Sequence, residues 1–143
     1  LKYPGVIVAS DAMRLKSLTH RQHPRGMGTF SRVLGHYARD KKILSLSDAI
    51  ARMSYLPAQR LEDFAPAFKH KGRLSPGADA DITIFDADAV IDRATFEQPN
   101  QYAKGIVHVI VGGEIVVRDA ALQENTFPGQ PITTKTGNFK TPR

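Results

Sequence analysis

The sequence predicts an α/β fold in which one apolar strand is followed by helices and then by β-structure. A short β-branched run occupies residues 5–9, and apolar residues with helical spacing follow over residues 30–61. Strand-like runs separated by glycine turns then extend to residue 118. A strand that is buried on both faces needs neighbouring strands, which this order does not supply. We therefore expect the 143 residues to be a fragment of a longer chain.

The run over residues 5–9 ends at Ser10 and Asp11. In a β/α barrel, the carboxyl ends of the strands carry the catalytic groups. A carboxylate at such an end can ligate a metal ion and accept a proton from water. Asp11 is therefore a candidate catalytic residue and metal ligand. The alternative from the local pattern is that Asp11 caps a helix or accepts a hydrogen bond within a loop.

A long loop is expected over residues 12–28, because Pro24, Gly26 and Gly28 interrupt any regular pattern. Arg25 lies within this loop. A guanidinium can bind a substrate carboxylate through two parallel hydrogen bonds, so Arg25 is a candidate substrate-binding residue. The alternative is that Arg25 binds loop carbonyls or a surface acid.

A helix is predicted over residues 30–40, with Thr29 as its N-cap. Its apolar residues recur at i, i+3, i+4, i+7 and i+8 and form one stripe: Phe30, Val33, Leu34, Tyr37 and Ala38.

Two further helices are predicted over residues 46–54 and 56–61. Ser45 is a suitable N-cap for the first, and Asp48 favours the positive end of that helix. Pro57 fits the first turn of the second helix.

Four strands are then predicted, over residues 71–74, 81–85, 106–111 and 114–118. Gly112 and Gly113 separate the last two and predict a two-residue hairpin turn, because glycine adopts positive φ at little cost. The remaining residues are expected to form an extended tail that packs on a partner surface or frays. We divide the chain into residues 1–61, 62–120 and 121–143.

The composition excludes several kinds of protein. The chain has no cysteine, which removes disulfides, thiolate metal sites and a cysteine nucleophile. The net charge is +6, but the basic runs at residues 41–42 and 69–71 lack interleaved aromatics or a known reading motif, so no nucleic-acid partner is expected. No apolar run exceeds about five residues, so no membrane-spanning helix is expected.

Several sequence blocks carry a resemblance to a known family. Residues 23–35 begin His23-Pro24-Arg25-Gly26-Met27-Gly28-Thr29-Phe30. This block resembles one of the N-acyl-D-amino-acid deacylases (D-aminoacylases), as do Ser10-Asp11, residues 45–61 and residues 92–102. Residues 71–82 are similar to a block found across the wider amidohydrolase superfamily.

The resemblance implies the C-terminal end of a (β/α)8 TIM-type barrel, followed by strands of a small composite β-sandwich. It implies that Asp11 is the general base and a zinc ligand, and that Arg25 and His23 bind substrate. The remaining zinc ligands are expected upstream of residue 1, in the missing N-terminal portion of the same protein.

The function implied is hydrolysis of the amide bond of small-molecule N-acyl-D-amino acids to a D-amino acid and a carboxylate, with a cytoplasmic location expected. One alternative is another amidohydrolase that acts on cyclic amides, of the hydantoinase or dihydroorotase type. A second alternative is a basic interaction module without catalytic activity.

Overall fold

The computed structural model describes residues 1–13 and 22–133. Residues 14–21 of the expected loop and residues 134–143 of the expected tail lie outside the described residues. The helical elements are α1 (Arg25–Arg32), a π-helix (Val33–Asp40), α2 (Leu46–Met53), α3 (Tyr55–Leu61) and a 3₁₀ helix (Pro66–His70). The strands are β1 (Ile82–Phe85), β2 (Ile106–Val111), β3 (Glu114–Arg118) and β4 (Ala121–Leu122). This content of helices and antiparallel sheet agrees with the predicted mixture of α and β structure.

The first helix begins earlier than predicted. α1 starts at Arg25, directly after Pro24, so residues 25–28 are helical rather than part of a loop. Thr29 is not an N-cap, because it lies inside α1 and its Oγ1 donates a hydrogen bond to the Arg25 carbonyl at 2.8 Å. Proline is tolerated at the beginning of a helix, where its missing N–H group is not needed.

The π-helix continues α1 and carries the predicted apolar stripe. The Lys41 N–H group donates to the carbonyl of His36, five residues earlier, at 2.9 Å. Val33, Leu34 and Ala38 of the stripe are buried. Tyr37 is partly buried, and Phe30, the member of the stripe that lies in α1, is 45% exposed. The predicted buried face is therefore confirmed over residues 33–38 and is wrong at Phe30.

The helices α2 and α3 agree closely with their predictions. The Ser45 hydroxyl accepts a hydrogen bond from the N–H of Asp48 at 3.0 Å and donates one to the Asp48 carboxylate at 2.7 Å. These bonds satisfy a backbone donor that would otherwise be unpaired at the start of α2. Pro57 lies in the first turn of α3, as expected.

The four strands form one antiparallel sheet in the order β1-β2-β3-β4. The hairpin between β2 and β3 is confirmed, and its turn residues Gly112 and Gly113 have φ values of 57° and 87°. β4 pairs with β3 within the segment that we assign to the tail. Residues 71–74 form no strand. Gly72 there has a φ of 69° and packs closely on the Ser54 carbonyl, where a side chain would not fit.

The predicted strand over residues 5–9 is also absent from the described structure. Val8 instead donates its N–H group to the Arg52 carbonyl at 3.0 Å. The physical reason is that no other described strand lies beside this segment to form a ladder of hydrogen bonds. The apolar composition of this segment favours a strand, but a strand also requires a neighbouring strand with which it can form hydrogen bonds.

The buried core is small and lies between the helices and the segment that precedes β2. It contains Val33, Leu34, Ala38, Ala49 and Val90, and Phe85 and Ile106 of the sheet pack against it. No residue of the four strands is itself buried. The strand pairing places Ile82, Ile110 and Ile115 side by side on one face, with Ile84 two residues along β1 from Ile82.

Val90 is the largest fully buried side chain of this core, with 0% of its surface exposed. A Cβ atom added to Gly35 would overlap the Val90 carbonyl oxygen. A Cβ atom added to Gly105 would lie 2.5 Å from the Val90 nitrogen. Glycine at both positions therefore permits the backbones to approach this closely.

We expect Gly35→Ala to lower the free energy of unfolding by about 2 kcal/mol, because overpacking outweighs the gain of about 1 kcal/mol in helix propensity. Gly129→Ala is the control, since no atom lies within 4 Å of the added Cβ there. Urea denaturation measures both effects. Equal stability of the two variants would contradict the proposed close packing.

A cluster of charges joins the segment before β1 to the hairpin turn. Lys71 Nζ lies 2.5 Å from an oxygen of Asp81 and 3.0 Å from one of Asp79. The other Asp81 oxygen accepts the Gly112 N–H group at 2.8 Å. The hydrogen bond from Lys71, followed by that from Gly112, holds the pKa of Asp81 below its usual value of 3.8.

We expect Asp81→Asn to lower the free energy of unfolding by about 1 kcal/mol at neutral pH. A lowered pKa contributes stability above the unfolded pKa, and that contribution is lost as pH falls through the folded pKa. The difference in free energy of unfolding between the variant and the parent protein should therefore shrink as the pH falls below about 4. Urea denaturation at several pH values tests this, with the exposed Asp88→Asn as control; a difference independent of pH would refute the ionic origin.

Candidate active site

Asp11 lies at the end of the apolar segment over residues 5–9, where its side chain is 85% exposed. Its φ is 50°, which is uncommon for any residue other than glycine. The carboxylate is therefore accessible to solvent, and the backbone of Asp11 lies in the left-handed region.

Arg25 is the residue that contacts Asp11. Its Nη2 lies 2.7 Å from the Asp11 carboxylate, and its Nε donates to the Asp11 carbonyl at 3.1 Å. The structure thus brings together two of the predicted site residues that are 14 positions apart. The alternative role for Arg25, binding a loop carbonyl and an acid, is also met by these contacts.

His23 is linked to Arg25 through the backbone. The Arg25 N–H group donates to Nδ1 of His23 at 3.0 Å. A neutral imidazole that accepts at Nδ1 carries its proton on Nε2, which is then able to donate to another group. The ring of His23 also packs on the ring of Phe96 in a T-shaped arrangement, with centroids 5.0 Å apart.

The segment over residues 92–97 forms the opposite wall of an open cleft of about 450 Å³. Asp92 binds Arg32 of α1, with Nη1 of Arg32 and Oδ2 of Asp92 3.0 Å apart. The hydrogen bond that Arg32 donates to Asp92 raises the pKa of Arg32 above its ordinary value. His23 and Arg25 line the other side of the cleft. Asp11 is not part of the lining, and it reaches the cleft through Arg25.

Asp92 and Phe96 are site residues to which the sequence pattern assigned no role. Both belong to the block over residues 92–102 that resembles the deacylases. The resemblance of this block was therefore the sequence signal for these residues. In the structure, the two blocks that point to this family lie on opposite walls of one cleft. The contact between the two blocks depends on the fold and cannot be predicted from the local spacing of residues.

The described residues do not assemble a metal centre by themselves. Among residues 1–13 and 22–133, no group of three or more histidine, aspartate or glutamate side chains lies together. Asp11 can supply one carboxylate oxygen of the kind that zinc accepts. Its partner in the structure is the cationic Arg25 rather than a second ligand.

Comparison with known proteins identifies the family. The model of the amidohydrolase family matches residues 4–117. The chain therefore belongs to the amidohydrolase family.

In the described part of the chain, no helix has the length and apolar character that crossing a bilayer requires.

Two relatives come from Alcaligenes xylosoxydans xylosoxydans. The chain is 44% identical over 130 residues to its D-aminoacylase, which covers 91% of the chain and 24% of the relative. It is 46% identical over 91 residues to its N-acyl-D-glutamate deacylase, which covers 64% of the chain and 18% of the relative. The chain thus spans a quarter or less of the length of these relatives, and the resemblance drawn from the motifs is confirmed.

Solved structures give the same result. A crystal structure of D-aminoacylase matches 73% of the chain with 40% identity and a TM-score of 0.65, over 21% of its own length. An N-acyl-D-glutamate deacylase from Bordetella bronchiseptica, complexed with zinc and a phosphonate mimic of the tetrahedral intermediate, matches 67% of the chain with 47% identity and a TM-score of 0.61, over 19% of its own length. A further D-aminoacylase structure is described as having a binuclear metal centre.

Proposed function

We propose that the intact protein, meaning the whole polypeptide that contains this chain, is a zinc-dependent deacylase of N-acyl-D-amino acids. It would hydrolyse their amide bond to a D-amino acid and a carboxylate. The observation that carries this proposal is the Asp11–Arg25 pair at the rim of a cleft walled by the two deacylase-like blocks. The relatives named D-aminoacylase and N-acyl-D-glutamate deacylase support it.

Asp11 is proposed as the general base. Its exposed carboxylate accepts a proton from the attacking water and delivers that proton to the nitrogen of the leaving amine. Arg25 fixes the orientation of Asp11 through an ion pair with its carboxylate and a hydrogen bond to its main-chain carbonyl, which keeps the carboxylate aimed at one position.

Arg25 is proposed to bind the substrate carboxylate. Its contacts with Asp11 use Nε and Nη2 and leave Nη1 outside this pairing. A guanidinium has five N–H donors, so it can hold one carboxylate on each of two edges. His23 lines the same cleft and is proposed to donate to the substrate through Nε2.

Zinc belongs to the proposal as a cofactor of the intact protein. The residues described here supply Asp11 as one donor and no complete site, so the other ligands are proposed to lie upstream of residue 1. When bound, zinc acts as a Lewis acid and lowers the pKa of water.

The proposed architecture is the end of a (β/α)8 barrel followed by part of a composite β-sandwich. Two observations support the need for further strands from the same polypeptide. The apolar residues 5–9 have no strand partner among the described residues. The sheet face with Ile82, Ile110 and Ile115 is only half-buried, and Ile84 is 45% exposed. The domain boundaries and the cytoplasmic location remain predictions.

We expect the intact protein to hydrolyse N-acetyl-D-amino acids but not cyclic amides such as hydantoin. Asp11→Asn should lower kcat about 10²-fold to 10⁴-fold, because the general base is lost while the shape of the side chain is kept. Steady-state kinetics measure this, with the exposed Asp63→Asn as control. Near-normal turnover in Asp11→Asn would remove Asp11 from the mechanism, and hydrolysis of only the cyclic amides would favour the alternative hydrolase.

We expect Arg25→Leu to raise KM for N-acetyl-D-amino acids about 10-fold to 100-fold, because a charge-assisted grip on the substrate carboxylate is lost. The control is Arg60→Leu, at an exposed arginine of α3 that does not line the cleft. If kcat fell while KM stayed constant, Arg25 would act on Asp11 alone and would not bind substrate.

A further inference from the structure

A series of contacts runs from Phe96 to Asp11. The ring of Phe96 packs on the imidazole of His23 at 5.0 Å, with the ring planes 79° apart. Nδ1 of His23 accepts the Arg25 N–H group at 3.0 Å. The Arg25 side chain then holds Asp11 through an ion pair with its carboxylate and a hydrogen bond to its main-chain carbonyl. A displacement of Phe96 therefore reaches the proposed base through three contacts.

The segment that carries Phe96 is fixed independently of these contacts. The side chain of Asp92 is only 9% exposed and pairs with Arg32. A Cβ atom added to Gly28 would lie 3.1 Å from the Asp92 Cβ, so α1 and this segment are in close contact. Thr95 and Gln98 close a turn around Phe96, since Thr95 N donates to the Gln98 carbonyl and Gln98 N donates to the Thr95 hydroxyl.

Phe96 itself remains 65% exposed. Burial of an aromatic ring stabilises a fold in proportion to the area removed from water, so this ring contributes little to the core. Its ring instead packs against that of His23, a residue of the proposed site. A hydrogen-bonded turn, an exposed ring and a contact with a site residue together indicate that the Phe96 side chain supports the neighbouring site.

We propose that Phe96 is a positioning residue, which holds the His23 imidazole and, through it, Arg25 and Asp11 in their working geometry. The inference rests on the proposed deacylase function and assigns a role to a residue outside its reacting groups. A T-shaped aromatic pair restricts both the position and the tilt of the imidazole, which an aliphatic side chain does not do.

The test is Phe96→Leu in the intact protein. We expect kcat/KM for an N-acetyl-D-amino acid to fall about 10-fold, because small displacements of a catalytic group are costly. Part of this fall should be a rise in KM, since Arg25 is proposed to bind the substrate. A smaller folded fraction would lower the apparent kcat and leave KM unchanged, so the rise in KM separates positioning from instability.

Two further variants make the test specific. Phe96→Tyr keeps the ring and should retain kcat/KM within about threefold. Phe64→Leu is the matched control, because Phe64 is also 65% exposed and does not line the cleft; its kinetics should be unchanged. Unaltered kinetics in Phe96→Leu, or an equal loss in Phe64→Leu or in Phe96→Tyr, would overturn the positioning role.

A measurement without substrate tests the contact itself. In the protein with labelled histidine, the proton resonances of His23 should move in Phe96→Leu and stay in place in Phe64→Leu, because the ring of Phe96 lies 5.0 Å away. Unmoved resonances in Phe96→Leu would overturn the inference. Absence of any deacylase activity in the parent protein would refute the proposed function instead, so the two failures are distinguishable.

Discussion

The close approach of two glycines to the backbone of Val90 is the constraint on which the arrangement of the site depends. Gly35 of the π-helix and Gly105 before β2 leave no room for a side chain against this residue. Docking at Val90 fixes the position of the chain that follows it. Asp92 lies two residues later and meets Gly28 and Arg32 of α1, and Phe96 then lies beside His23. Packing at the core thus determines the geometry of an exposed cleft.

The elements that the sequence predicted correctly are those set by local chemistry. α2 has a serine cap and a helical spacing of apolar residues, and the β2–β3 hairpin has two adjacent glycines. The prediction of a strand over residues 5–9 was wrong because strand formation depends on a neighbouring strand. The start of α1 was misplaced because Pro24, Gly26 and Gly28 are usual loop signals. Here Gly28 allows the helix to pack on Asp92, and this tertiary contact outweighs its low helix propensity.

The candidate site shows the same division between local and distant information. Asp11, Arg25 and His23 were predictable as candidate residues because their chemistry and the surrounding motif are local in sequence. Their mutual geometry was not, since the pairing of Asp11 with Arg25 spans 14 residues and depends on where α1 begins. The contact of Phe96 with His23 was still less predictable, because 73 positions separate the two residues. An aromatic residue in a polar turn has no distinctive pattern until the fold places it against an imidazole.

The half-covered isoleucine face of the sheet has a consequence for how the protein must be handled. β1 has no hydrogen-bonded strand on its outer side among the described residues. A free strand edge beside an apolar face is a template for pairing between molecules. In concentrated solution, these residues would tend to aggregate through that edge.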